Sequence, residues 1–517
     1  MAPASSRAVK PDPTTPPVDE RLQVLAFPKQ AGRTIVTFWM LFTAFATAWF
    51  FTDERAFWTL VGGIACLIIS LPLVLGRRQY EVVSPWTLLL LGGYLGWGLR
   101  GLFISWGIEA DRTLDELYFL GNTVEYFYGP SLIFLFGLGL LTAGYLCAPA
   151  STRSSGIGRR AHLATGHVQI AVLLSALVGF IAFMAYAQAT GGIGLGQLSA
   201  KRTTITGAEL DQSFQSHGGL RVINTYAQLA FWLQTAYYCY RGLPHGPTTL
   251  RFWWLAALFI NAAMLPLYAS TRSDLIYIVI GALLIEFCLR RSSVNVRTIG
   301  VAAVSVLVIG SAMTSLRSTS TEESQTASVD AQSMVAGFVL SRTVADVATT
   351  SHIIHVVPEG LPYANGRTIT AWLSAPIPRS VWPGKPIISL GPEIGRSIYG
   401  NDRSGVPPGV VGEAYWNFGL TGVLVLPFLA GLGLRRLHET WARSATVSPE
   451  AAIILAIVAV RPGLAIISNS LGYVIFQVVQ SLILLIPILI FVGRDKPELA
   501  KTPVQRRSTI PRQKESS

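Results

Sequence analysis

Residues 471–492 read LGYVIFQVVQSLILLIPILIFV, a long run without a single charged side chain. A helix of about 20 apolar residues is long enough to cross the roughly 30 Å of hydrocarbon in a bilayer. Backbone N–H and C=O groups find no water there, so a spanning segment must be a helix or part of a closed barrel. The run lacks the alternation of a barrel strand, and it therefore predicts a transmembrane helix.

Similar runs recur along the chain of 517 residues, of which 51% are hydrophobic and only 13% are charged. Hydropathy predicts about twelve spans. We place them at residues 34–51, 56–76, 84–105, 129–148, 167–187, 221–240, 251–269, 274–290, 298–314, 409–434, 450–467 and 471–492. The sequence thus predicts an all-α polytopic membrane protein with a long external loop between helices 9 and 10.

The positions of Lys and Arg predict the orientation of these spans. With a cytoplasmic N-terminus, most of the 40 Lys and Arg residues lie in inner connections and in the tails, so both termini are expected in the cytoplasm. The tails, residues 1–33 and 493–517, are rich in Pro, Ser, Thr and charge, which predicts disorder outside a transmembrane domain of residues 34–492. Anionic lipid accounts for the net charge of +12 without nucleic acid.

Two outer segments exceed the length of a turn, residues 188–219 and 315–408. Long loops on a rigid scaffold often carry function. The second contains the proline-stiffened stretch Pro376–Pro386 and leads into Gly412–Gly419, which opens the next span. Since membrane insertion discourages Lys and Arg on this side, cations kept here indicate a function.

Some outer cations lie at span ends and are expected to snorkel to lipid headgroups: Arg55, Arg112, Arg221 and Arg317. The remaining candidates lie in the loops, in a very short turn or inside an apolar run: Arg100, Lys201, Arg202, Arg272, Arg342, Arg379, Lys385 and Arg461. Arginine forks match phosphate oxygens bidentately, so converging arginines suit a lipid-linked pyrophosphate. For Arg272 the structural alternative is an ion pair with Asp274.

Aromatic residues accompany these cations: Trp372, Trp382, Tyr399, Tyr415 and Trp416. Their rings are able to face sugar rings of a glycan. The structural alternative is the aromatic belt that membrane proteins place at the lipid–water interface. The sequence leaves both interpretations open.

The stretch Pro376–Pro386 followed by Gly412–Gly419 resembles the Wzy-type O-antigen or oligosaccharide repeat-unit polymerases of bacterial envelopes. The Gly-Gly-Ile before Lys201 and Arg202 and the Ser-Thr-Arg-Ser turn at Arg272 are similar to that family in order and sidedness. The resemblance implies a C-type glycosyltransferase-like membrane enzyme that needs neither a metal nor another cofactor. It further implies joining of oligosaccharide units on undecaprenyl pyrophosphate at the periplasmic face of the bacterial inner membrane, with a chain-length regulator and a flippase as partners.

In such a polymerisation a hydroxyl of one lipid-linked unit attacks the anomeric carbon of another glycan, and undecaprenyl pyrophosphate departs. Fixed positive charge stabilises the departing diphosphate. We expect Arg272 and Arg379 to be catalytic in this sense. The pyrophosphate or glycan is expected to contact Lys201, Arg202, Arg342, Lys385, Arg461, Trp382, Tyr415 and Asn417.

Glu413 is the first candidate for the base that activates the acceptor hydroxyl. It begins a span at the outer surface beside Tyr415 and Asn417, where partial burial would make it a stronger proton acceptor. The structural alternative is a helix-start carboxylate stabilised by the helix dipole. Weaker candidates for the base are His352, His355 and Asp274.

Two other functions stay open at this level. An O-antigen ligase would use the same donor and pass the glycan to a lipid A core. A flippase for lipid-linked oligosaccharides would be expected to show repeated halves and a polar central path, and the sequence shows no convincing repeat. The motifs therefore favour the polymerase.

Overall fold

The computed structural model describes residues 27–76, 80–81, 84–108, 122–149, 165–190, 218–243, 248–269, 271–290, 339–340, 347–377, 381–382, 384–386, 388, 390–400, 406 and 408–493. Within these residues the chain is all-helical and contains no strand. The helices longer than one turn are α1 Lys29–Phe50, α2 Phe57–Ser70, α3 Pro85–Ser105, α4 Tyr128–Cys147, α5 Thr165–Ala189, α6 Gly218–Tyr240, α7 Leu250–Tyr268, α8 Arg272–Arg290, α9 Val347–Val356, α10 Gly391–Tyr399, α11 Gly409–Ala445, α12 Pro449–Ala465 and α13 Leu471–Val492.

Eight helical segments of the described residues are long and apolar enough to cross a membrane. They contain α1–α5, α7, α11 and α13. The prediction of a polytopic helical membrane protein is confirmed at this level. Three further predicted spans coincide with α6, α8 and α12, of which α12 has only 17 residues and is short for a span. The predicted span at residues 298–314 and most of both tails lie outside the described residues.

Most buried apolar residues of the described helices belong to two large cores. The first joins α1–α4 with parts of α9 and α11, and the second joins α5–α8 with α12 and α13. Helix α12 also packs against α3 and α11 and is therefore enclosed on all sides, with every residue from Pro449 to Val460 buried. A helix that is apolar all round is expected in such a central position.

Close contact of α4 with α11 depends on glycine. A Cβ added at Gly144 would lie 2.0 Å from the carbonyl oxygen of Phe428, and one at Gly431 would lie 2.0 Å from that of Leu141. Small residues at such positions let the backbones of two membrane helices approach each other. The α4–α11 pair thereby fixes the position of α11, which carries the residues considered below.

Arg100 is buried within α3, at the end of a π-helical stretch, Tyr94–Leu99. Its Nη2 donates a hydrogen bond of 3.0 Å to the carbonyl oxygen of Leu340. This contact ties the short described segment at residues 339–340 to α3. In the structure Arg100 thus has a packing role inside the first core.

Part of the long predicted outer loop is folded. Helices α9 and α10 and the segment between them pack with the start of α11 around a small third core: Ile353, Val357, Ala364, Leu390, Ile394, Val406 and Trp416. Residues 341–346, 378–380 and 401–405 of this loop lie outside the described residues, as do residues 191–217 of the other predicted loop. The folded part covers the beginning of α11.

We expect Gly431→Ala to destabilise the protein relative to Gly433→Ala by about 1–3 kcal/mol, since overpacking has a cost of this size. Both variants gain the same helix propensity, but nothing lies within 4 Å of a Cβ at Gly433. Thermal unfolding of the purified protein in detergent measures the difference. Equal unfolding temperatures for the two variants would contradict the tight α4–α11 contact.

Candidate functional site

A carboxylate is buried where α11 and α13 begin. Glu413, in the second turn of α11, is only 1% exposed. Its Oε1 accepts a hydrogen bond of 2.8 Å from the hydroxyl of Thr368, and its Oε2 accepts one from the backbone N–H of Leu471. Because both oxygens are engaged, the carboxylate is held in one position.

Leu471 needs this acceptor because it is the first residue of α13. The first N–H groups of a helix lack carbonyl partners within it, and their partial positive charge favours an anion. The side chain of the preceding residue, Ser470, does not cap the helix. Gly472 brings the helix start close to the loop, since a Cβ there would lie 2.3 Å from the carbonyl oxygen of Thr368. Glu413 therefore caps α13, a helix other than its own.

The segment between α9 and α10, which carries Thr368, reaches Glu413 because α11 is broken. Gly419 has a φ of +59°, a conformation that favours glycine. Because of the break, backbone carbonyls just before Gly419 do not receive the N–H donors that a continuous helix supplies from four residues later. The N–H of Ala364 donates to the carbonyl of Trp416 at 2.9 Å. The N–H of Asn365 donates to the carbonyl of Asn417 at 3.2 Å, so the loop replaces the missing helical hydrogen bonds.

The side chain of Asn417 fixes the direction of the Thr368 hydroxyl. The backbone N–H of Gly366 donates to Asn417 Oδ1 at 2.8 Å, which leaves Nδ2 as the donor to Thr368 Oγ1 at 2.6 Å. Since this hydroxyl oxygen accepts from the amide, its hydrogen points to Glu413. A backbone donor thus determines the whole chain of hydrogen bonds.

A partly buried ion pair forms a second polar group. Arg461 Nη1 lies 2.9 Å from Asp274 Oδ1. The centre of the Arg461 guanidinium lies 4.1 Å from the centre of the Tyr277 ring, within the range of a cation–π contact. Asp274 thus has an ion-pair partner that the sequence did not identify.

The Glu413 network and the Arg461–Asp274 ion pair both lie beside the connection from α12 to α13. The carbonyl of Ile466, after the end of α12, accepts from the N–H of Val410 at 3.0 Å. Tyr473, two residues after Leu471, lies within electrostatic range of Arg461 and Asp274. Helix starts of α8, α11 and α13 and the end of α12 therefore lie together, and we call this end of the molecule the site face.

Two cations of the folded loop have local partners. Arg367 Nη2 lies 2.6 Å from Glu393 Oε1, with 46% of the Arg367 side chain exposed, and such a surface pair adds little stability. Lys385 Nζ donates to the carbonyls of Ala375 and Ile377 at 2.9 and 3.0 Å. In the structure Lys385 thus stabilises the loop in which it lies.

The other predicted contact residues are in different environments. Asn417 is fully buried in the network described above. Tyr415 is partly buried and packs between the first and third cores. Trp382 is 43% exposed. Of these three, Trp382 has the most surface available to a ligand.

Several predicted site residues cannot be placed. Lys201, Arg202, Arg342 and Arg379 lie outside the described residues. Arg272 is the first residue of α8, and its side chain also lies outside the description. Their roles therefore stay predictions from the sequence.

The two histidines proposed as weaker bases belong to an aromatic group above α4. His352 is fully buried, with Nδ1 3.4 Å from the hydroxyl of Tyr126 and its ring in edge contact with Phe127 and Tyr399. His355 is exposed and stacks on Tyr126 with ring centres 3.9 Å apart. These contacts give both side chains a packing role.

Sequence reasoning missed Thr368 and Tyr277. Nothing in the sequence around Thr368 marks it, because its contact with Glu413 spans 45 positions and depends on the break in α11. Tyr277 does carry a signal. It follows Asp274 by three positions on a predicted helix, and this spacing places both side chains on one face.

Comparison of the chain with protein-family models, curated proteins and solved structures finds no match. Among the residues that the structure describes, no three His, Cys, Asp or Glu side chains lie together as metal ligands would. The chemistry of the site face therefore carries the functional interpretation.

We expect Thr368→Val to destabilise the protein by about 1–3 kcal/mol, because the buried Glu413 carboxylate loses a hydrogen-bond donor. Thr368→Ser keeps the hydroxyl and should restore most of the stability. The matched control is Thr370→Val, whose exposed hydroxyl donates to the backbone carbonyls of Gly366 and Arg367. Chemical unfolding followed by tryptophan fluorescence measures the three variants. Equal losses for the two valine variants would contradict the network.

Proposed function

We propose that this protein is a metal-independent membrane glycosyltransferase that polymerises oligosaccharide repeat units carried on undecaprenyl pyrophosphate. The proposal places its site face at the periplasmic side of a bacterial inner membrane and includes a C-type glycosyltransferase-like architecture. A buried carboxylate and a partly buried arginine at the same end of the helices carry it. Glu413 contacts Leu471 at the start of α13, and Arg461 pairs with Asp274 near the start of α8. The resemblance of the loop motifs supports the same function.

The proposed reaction needs one proton acceptor and fixed positive charge. The acceptor hydroxyl forms a bond to the anomeric carbon of the donor glycan, while the bond from that carbon to the diphosphate oxygen breaks. The hydroxyl proton passes to the Glu413 carboxylate, and the bonding electron pair leaves with undecaprenyl pyrophosphate. Arginine side chains stabilise the charge that develops on the leaving group, most strongly where water is excluded.

Glu413 must exchange a partner to act in this way. Both of its oxygens already accept hydrogen bonds in the structure. The Thr368 hydroxyl is the partner that moves more easily, because it rotates about one bond, whereas the N–H of Leu471 is fixed in a helix. We therefore assign the base function to Oε1, with the acceptor hydroxyl replacing Thr368.

The direct test is incubation of the purified protein with a synthetic undecaprenyl-pyrophosphate oligosaccharide. A ladder of lengthened products is expected on gel electrophoresis. Glycan transfer that occurs only when a lipid A core is supplied would identify a ligase instead. Movement of the substrate across vesicles without coupling would identify a flippase.

We expect Arg272→Ala and Arg379→Ala to leave only single repeat units in this assay, because each variant removes positive charge from the departing diphosphate. Arg379→Lys should also be impaired if the planar fork matters. The control is Arg241→Ala. Arg241 directly follows the last residue of α6, Tyr240, and this variant should keep the ladder. Unchanged ladders for both site variants would defeat the assignment.

Glu413→Gln is expected to abolish polymerisation while the protein still folds. The amide oxygen still accepts a hydrogen bond and so preserves a cap for α13, but an amide does not accept the proton of a sugar hydroxyl. Product ladders and unfolding temperature are measured on the same preparation. Full activity of this variant would rule out the base function of Glu413.

A further inference from the structure

The segment between α9 and α10 carries exposed apolar side chains. Leu373, Ile377, Val381 and Trp382 are 61%, 38%, 74% and 43% exposed. A single exposed apolar side chain is ordinary on a protein surface, whereas several together mark an interaction surface. We call these four residues the apolar patch.

Lys385 brings the two halves of the apolar patch together. Its Nζ donates to the carbonyls of Ala375 and Ile377 at 2.9 and 3.0 Å. Its backbone N–H donates to the carbonyl of Trp382 at 3.1 Å. The chain around Trp382 therefore lies beside the turn that ends at Ile377, and the patch forms one small surface.

The turn that carries Leu373 has two unlike faces. Residues 367–374 are helical and end in a 3₁₀ turn, Ala371–Ser374. Thr368, Ala371 and Ser374 recur every three residues and are buried, as expected for side chains that share one face of such a turn. Leu373 lies outside this line and is exposed. The segment is thus anchored to the protein by one face and presents apolar side chains on another.

The position of the segment relative to the membrane follows from α13. Its 22 residues form a helix about 33 Å long, close to the roughly 30 Å of hydrocarbon in a bilayer. Nearly the whole helix is needed to cross, so Leu471, its first residue, lies near the membrane boundary. Thr368 shares the Glu413 carboxylate with Leu471, and a Cβ at Gly472 would lie 2.3 Å from the Thr368 carbonyl oxygen. The segment therefore lies at the level of this boundary.

The polar groups of the segment suit contact with lipid. Backbone carbonyls that meet lipid need donors from the protein itself. Lys385 supplies donors at the end of the turn, and the Thr370 hydroxyl donates at 3.0 Å to a carbonyl one turn earlier. Among the described residues from 367 to 382, only Arg367 is charged, and it is paired with Glu393. The apolar patch itself carries no charge.

We propose that the apolar patch inserts into the lipid leaflet at the site face, where headgroups meet acyl chains. Tryptophan favours this depth because its ring is apolar and its N–H is polar. Of the two interpretations that the sequence left open for Trp382, this one assigns it to lipid. The inference goes beyond the proposed function and holds for any activity of the site face. Thr368 belongs to the same turn, so the residue that covers Glu413 is part of a lipid-bound segment.

Spin labels on the whole chain in nanodiscs of phosphatidylcholine and phosphatidylglycerol test the insertion. Leu373→Cys and Val381→Cys are each labelled with a nitroxide in a Cys147→Ser background, because Cys147 is an exposed native thiol. Electron paramagnetic resonance compares collisions with oxygen, which concentrates in lipid, and with a water-soluble nickel complex. Both patch positions should show a ratio of oxygen to nickel collisions several-fold higher than a label in water.

Two further labelled positions calibrate this ratio. Leu424, in the spanning helix α11, is 50% exposed and reports on lipid. Glu359 is an exposed, charged side chain that precedes the same segment and reports on water. Leu424→Cys should give the highest ratio and Glu359→Cys the lowest.

The other outcomes would overturn the proposal. A ratio at the patch equal to that of Glu359→Cys places the patch in water. Low collision rates with both reagents show that protein covers it, either a partner or a second copy of this chain. The unfolding temperature of each labelled protein shows whether the label disturbs the fold. Val381 is the more exposed position, and its result decides if Leu373→Cys proves unstable.

Discussion

The broken backbone of α11 is the constraint on which the site face depends. In a helix that enters a membrane, each freed carbonyl needs a new donor because water is scarce. The carbonyls of Trp416 and Asn417 receive theirs from residues 364–365 of the loop. This exchange places Thr368 over Glu413, and Glu413 in turn caps α13. The break at Gly419 thereby joins residues 364–368, α11 and α13 into one unit.

Burial gives the two charged groups of the site face their character. A charge removed from water is costly unless it is paired and hydrogen-bonded. Glu413 meets this condition fully, through a hydroxyl and a helix start. Arg461 meets it through an ion pair with Asp274 and the face of the Tyr277 ring. Both groups thus depend on partners that are distant in the chain.

The sequence predicted the fold class well because spanning helices follow from continuous apolar runs, as in α1, α5 and α13. It predicted the site less well because the important contacts are distant in the chain. The stretch Gly412–Gly419 pointed to Glu413, but the partners of Glu413 come from residues 45 and 58 positions away. The partner of Arg461 is still farther away, on α8. Pairings of this kind depend on how helices pack, and a single sequence carries no direct record of that packing.

The Gly409–Ile467 contact explains why the two polar groups occur together. Gly409 has a φ of +64°, and a Cβ there would lie 2.6 Å from the carbonyl oxygen of Ile467. This contact, with the hydrogen bond from Val410 to Ile466, fixes the start of α11 against the end of α12. Glu413 lies about one helical turn after Gly409, and Arg461 lies about one and a half turns before Ile466. Displacement of the α12–α13 connection would therefore move the carboxylate and the arginine together.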